Sequence, residues 1–98
     1  RLIDLIDQSS SDSVLFISGD RHRGGLYQLT SASGKNIVEM TSSSLNLSFT
    51  NDEEAGPLRV GPTFVQENYG EMLLNKMTSK LTVNLKDNQG NIIQSVDL

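Results

Sequence analysis

Residues 14–25 read VLFISGDRHRGG, and the fold turns on how this stretch is read. Four apolar residues, Val14 to Ile17, run within two positions into Gly19, Asp20 and His22, the only histidine of the chain. Periodicity cannot separate strand from helix over so short a run. Its length and the β-branching of Val14 and Ile17 favour a strand, and an unbroken apolar run is the pattern of a central strand covered on both faces. On its amino side, Leu2, Ile3, Leu5 and Ile6 place apolar groups on one side of a short helix. Residues 7–13, DQSSSDS, are a polar connection rich in turn formers. Helix, short connection and covered strand make half of a βαβ unit, and the expectation is an α/β fold.

Past the motif, Gly24 and Gly25 break the pattern, Leu26–Thr30 reads as a second strand and Asn36–Met40 as a third. SASGK at 31–35 is the turn between them, so the two form a hairpin. The next stretch, TSSSLNLSFTNDEEAGP at 41–57, fits two readings. Leu45, Leu47 and Phe49 alternate as in a strand, while the serine run suits the cap of a helical turn. From there through Pro62 the chain reads as surface loop, of about 20 residues, a length typical of functional or disordered loops. Asn68–Asn75 reads as a strand. Leu81, Val83 and Leu85 alternate with polar residues, as do Ile92, Val96 and Leu98 with Gln94 out of pattern. KDNQGN at 86–91 joins these two runs into a closing hairpin. The whole is mostly β with one or two short helices, a single unit over residues 1–98.

Composition narrows the function. With 98 residues, 36% hydrophobic, 5% aromatic and no tryptophan, the core is thin. A formal charge of −4 gives no general attraction for nucleic-acid phosphates or for an anionic membrane surface. Without cysteine there is no disulfide, thiolate metal site or cysteine nucleophile. No apolar run approaches the roughly 20 residues that span a bilayer. Residues 1–8 lack a secretory-leader pattern. The chain opens on Arg1 already in a helical pattern with no capping residue ahead of it, and the expectation is a piece of a longer chain.

Asp20 and His22 fall just past the carboxyl end of the first strand, where open α/β sheets collect ligands. Gly19 permits a sharp exit without a Cβ clash. If the backbone there is extended, positions i and i+2 share a side, and a carboxylate oxygen beside an imidazole nitrogen suits Zn, Fe or Mn. The plainer reading is a turn aspartate bonded to its own backbone and a surface histidine. Two donors also fall short of the three that a catalytic zinc typically takes. Arg21 and Arg23 flank the histidine and are of the type that binds phosphate oxygens. Ser42 and Ser43 fit either a ligand or their own backbone. NDEEAG at 51–56 reads as a solvated acidic loop. DNQGN at 87–91 lacks the glycine and glutamate positions of an EF-hand and reads as hairpin turn.

The segment FISGDRHRGGL, 16–26, resembles the last metal-binding motif of the calcineurin-like metallophosphoesterases, in the Gly-Asp-x-His form of the PhoD-like alkaline phosphatases. VEMTSSSL at 38–45 resembles that family's Glu-x-Thr-Ser-Ser segment, ENYGEMLLN at 67–75 its Asn-aromatic-Gly strand, and the closing hairpin its terminal strands. The resemblance covers nearly the whole chain in one order. It implies the carboxyl-terminal half of a two-sheet α/β sandwich and a hydrolase of phosphate monoesters or diesters, working through two metal ions (Fe, Ca, Zn, Mn or Mg). Asp20 and His22 would be metal-binding and catalytic, while Arg21, Ser43 and Asn68 would contact substrate or support the site. The family's earlier ligand motifs do not occur in these residues. The missing amino-terminal part of the same enzyme is therefore the implied partner, and the chain is expected to be inactive alone. An extracytoplasmic location is implied by the resemblance only. The competing expectation is a non-catalytic β-rich module that binds a partner through its 41–62 loop or self-associates through exposed sheet edges.

Overall fold

The computed structural model describes residues 1–46 and 56–98. A helix, α1 (Leu2–Gln8), is followed by seven strands over these residues: β1 (Ser13–Ser18), β2 (Gly24–Thr30), β3 (Asn36–Ser42), β4 (Arg59–Phe64), β5 (Asn68–Asn75), β6 (Lys80–Asp87) and β7 (Ile92–Asp97). They form a four-stranded sheet in the order β1-β3-β2-β4 and a three-stranded sheet in the order β5-β6-β7. β1 runs parallel to β3; the other pairings are antiparallel. The fold is thus mostly β in two sheets with one short helix, as the alternating patterns predict.

The sheets stack because each offers one apolar face. Leu26, Val38 and Met40 of the first sheet meet Val83, Leu85 and Val96 of the second, all buried. Leu15, Val60, Phe64, Leu81 and Leu98 close the border of this core. In β3 the side chains alternate, so Val38 and Met40 point into the sandwich while Ile37, Glu39 and Thr41 take the outer face. There α1 lies over the sheet, with Ile6 buried. Its carboxyl end is tied to the β2–β3 turn. The Lys35 ammonium donates to the carbonyls of Ile6 (2.9 Å) and Ser9, adding to the bonds that the Ser9 N–H and hydroxyl make to Ile6 at the helix end. The Asp7 carboxylate accepts from the Ser31 hydroxyl and from the backbone and hydroxyl of Ser33.

Two expectations are corrected. Val14–Ile17 is a strand, but β1 pairs only with β3 among the described residues and lies at the sheet's edge. Its outer face turns toward α1, while Ile17, beyond the cover of the second sheet, is 63% exposed. The expected loop through Pro62 is corrected at its end, where β4 occupies Arg59–Phe64. Gly61 with φ 71 and Pro62 with no N–H to donate sit in mid-strand. Both are tolerated because β4 is an edge strand, and the β2–β4 register slips between Gly24 and Leu26. The Gln94 side chain, out of pattern in β7, donates to the Pro62 carbonyl. A slip between Leu85 and Lys86 sets Lys86 opposite Ile92. The reading of 51–56 falls on residues outside those described, apart from Gly56, as does the Leu47–Phe49 half of the alternation.

The outer face of the second sheet carries a polar row. The Asn84 amide donates to Glu71 (3.1 Å) and accepts from the Ser95 hydroxyl (2.7 Å), and Lys86 pairs with Glu71 at 2.9 Å. Lys86 and then Asn84 hold the Glu71 carboxyl below its usual range. Hydrogen bonds from Ser31 and Ser33 do the same for Asp7, those from Asn91 for Asp87, and those from Thr82 and Lys80 for Asp97. A carboxyl depressed by folding stabilises the native state at pH above its unfolded value, near about 4. That contribution is lost as pH falls through the lower folded value. The melting temperature is therefore expected to hold from neutral pH down to about 5 and to drop steeply below about 4. Glu71→Gln should make that acid limb shallower in a pH series of thermal melts; an unchanged limb would remove Glu71 from the account.

Candidate functional site

β1 and β2 lie on opposite sides of β3, and β1 and β3 end together, with Ser18 beside Thr41. To pass from β1 to β2, residues 19–23 must therefore arch over the carboxyl end of β3. This arch holds Asp20, Arg21 and His22. Its backbone is not extended: Asp20 has φ 67 and His22 has φ 52. The premise that i and i+2 share a side on an extended chain is thus corrected. Two left-handed residues two apart fold the segment into a tight turn, a conformation that aspartate and histidine adopt more readily than most residues.

Ser43, the first residue past β3, holds the arch from below. Its hydroxyl accepts from the Arg21 backbone N–H (2.9 Å) and donates to the Arg23 carbonyl (3.3 Å), while its own N–H also donates to Arg23 (3.3 Å). The hydroxyl thus reaches the chain on both sides of His22. The Arg23 Nε donates to the Arg21 carbonyl at 3.3 Å. Asp20 and Arg21 are exposed and His22 is half-buried.

Asn68 ties the second sheet to the same place. It is 2% exposed. Its Oδ1 accepts from the Ser42 hydroxyl (2.9 Å), its Nδ2 donates to the Gln66 carbonyl (2.7 Å), and its backbone N–H donates to the Ser44 carbonyl (2.9 Å). Gly24, where β2 leaves the arch, permits this approach. A Cβ there would stand 2.7 Å from Asn68 Oδ1 and 2.8 Å from Leu85 Cδ1.

Of the five residues singled out in the sequence, Asp20, Arg21 and His22 share one turn, Ser43 bonds that turn directly, and Asn68 is joined to it through the Ser42–Ser43 segment. Gly24 is the residue whose part the sequence did not reveal, and Ser42, read as bonding a ligand or its own backbone, instead donates to Asn68. Asn68 was readable as a strand-opening asparagine, but the hydroxyl that meets it lies 26 positions away. Beside Ser43, a groove of about 470 Å³ opens between the sheets, lined by Ile17, Met40, Asn68, Tyr69 and Met72 among others. Chemically, the arch offers one carboxylate and one imidazole, both of metal-ligand type. Among the described residues, no three His, Cys, Asp or Glu side chains come close enough to hold an ion together. Among the described residues, no helix is long and apolar enough to cross a membrane. No protein-family model, curated protein or solved structure matches the chain.

Proposed function

We propose that the chain is the carboxyl-terminal part of a PhoD-like metal-dependent phosphoesterase, hydrolysing phosphate monoesters or diesters, with Asp20 and His22 among the ligands of a two-metal centre. The observation that carries this reading is the arch over β3, braced by one serine hydroxyl on either side of His22. Metal sites depend on such outer partners to orient their donors. The carboxylate and imidazole fit Fe, Zn or Mn, and the carboxylate alone fits Ca or Mg. The remaining ligands would come from the amino-terminal part of the same enzyme. When bound, the metals supply a hydroxide nucleophile at neutral pH and neutralise charge on the phosphate oxygens. The chain's own residues do the rest. Asp20 and His22 hold the donor positions, and Ser43 fixes the backbone between them. Asn68 anchors β5 beneath Ser42 and Ser44. Arg21 brings a guanidinium of the kind that pairs with phosphate oxygens.

Restoring the amino-terminal part tests this. Joined to it, the chain is expected to hydrolyse an aryl phosphate with added divalent cations, and His22→Ala should lower kcat/KM by more than about a hundredfold. Ser43→Ala, which removes a brace and no ligand, should weaken metal affinity by about 10- to 100-fold. The chain by itself should show no activity. Hydrolysis by the chain alone that survives His22→Ala would overturn the reading.

A further inference from the structure

We infer that the outer face of the four-stranded sheet binds an organic ammonium ion carrying a benzene-sized apolar group, its charge on Glu39 and its apolar part in the cavity beside α1. The site follows from register. The parallel pairing of β1 sets Phe16 beside Glu39, and the antiparallel pairing of β2 sets Tyr27 beside it on the other flank. Neighbouring strands lie about 4.8 Å apart, so one carboxylate stands between two aromatic side chains in a single row. Two positions along, Ile37 pairs with Leu29. These five residues and Ile3 of α1 line a cavity of about 160 Å³.

Glu39 is the charged residue of this cavity lining. Its Oε1 accepts from the Ser18 hydroxyl (2.7 Å) and the Thr41 hydroxyl (3.3 Å), both neutral donors. Among the described residues it forms no ion pair. A half-buried carboxylate facing apolar surface loses hydration that two hydroxyls replace only in part. A cation restores that balance, and aromatic faces attract it further. The walls of Ile3, Leu29 and Ile37 select an apolar substituent. An apolar cavity of about 150 Å³ accepts benzene, which sets the size of that group. A neutral alcohol of the same shape would gain the walls alone, and a carboxylate would be repelled by Glu39.

The test is titration of the chain with benzylammonium, benzyl alcohol and benzoate, followed by NMR on the methyl signals of Ile3, Leu29 and Ile37. Benzylammonium is expected to shift these signals saturably, with an affinity at least about tenfold above that of benzyl alcohol. Benzoate should leave them unmoved. Glu39→Gln should bring benzylammonium down to the affinity of benzyl alcohol. Equal affinities of the two probes for the native chain, shifts centred elsewhere, absence of saturation, or indifference to a folded Glu39→Gln chain would each overturn the site. The comparison of probes on the native chain needs no variant, so it decides the matter even if Glu39→Gln does not fold.

Discussion

Gly24→Val is expected to lower the unfolding free energy by about 3–5 kcal/mol, the sum of an overpacked core and a broken buried hydrogen bond. Gly24 is buried at the start of β2, with Asn68 and Leu85 of the second sheet directly above it. A first carbon atom there already meets Asn68 Oδ1 at 2.7 Å, Leu85 Cδ1 at 2.8 Å and Asn68 Cγ at 2.9 Å. Asn68 cannot retreat cheaply. Its amide is bonded to Ser42 and Gln66, and its backbone to Ser44. Moving it leaves buried polar groups without partners. Gly70→Ala is the control, because the atoms in its way are the Cε and Sδ of Met40. A methionine tip is flexible, and the groove beside Tyr69 and Met72 gives it room. That substitution should cost less than about 1.5 kcal/mol. Urea unfolding of both variants checks the pair. Equal costs would mean that Asn68 yields as freely as Met40. A chain of this length has a stability of roughly 5–15 kcal/mol, so Gly24→Val takes a large part of it.

What the sequence made legible was whatever local pattern decides. The bounds of β5, Asn68–Asn75, follow from its composition and flanking polar residues, and the β6–β7 hairpin from two alternating runs around KDNQGN. In that turn, Asp87 accepts from the N–H groups of Gln89 and Asn91, the bonding of a turn aspartate. What stayed hidden was decided by partners distant in sequence. An apolar run such as Val14–Ile17 predicts burial, but whether both faces are covered depends on how far the second sheet extends. Gly61 and Pro62 are loop signals by propensity, and only the edge position of β4 makes them acceptable in a strand. The site divides in the same way. The Gly-Asp-x-His order is visible as letters, whereas the left-handed backbone of Asp20 and His22 arises from crossing over β3, a consequence of strand order. The brace from Ser43 is invisible for the same reason.

Leu85→Ala is expected to cost about 3–5 kcal/mol, the upper part of the range for deleting a buried leucine. The cost of such a cavity depends on whether its walls can collapse. Leu85 is fully buried, and glycines border it on two sides: Gly24 from the facing sheet and Gly70 opposite it on β5. Neither has a side chain to move inward. Val83 on its own strand is held in the same core, and Met40 alone has a flexible end within reach of Gly70. Leu85→Met, which keeps the volume, should cost less than about 1.5 kcal/mol. A Leu85→Ala cost near that of Leu85→Met would mean that the sheets close over the gap. The stronger form of the test is a double-mutant cycle with Gly24→Ala. Removing the leucine clears one of the three atoms that a methyl at 24 meets, while the two of Asn68 remain. The combined cost should therefore fall short of the sum by about 1 kcal/mol, the coupling of residues in contact. Additive costs would show that Asn68 alone bars residue 24. The cycle thus measures how firmly the second sheet presses on the strand that leaves the arch.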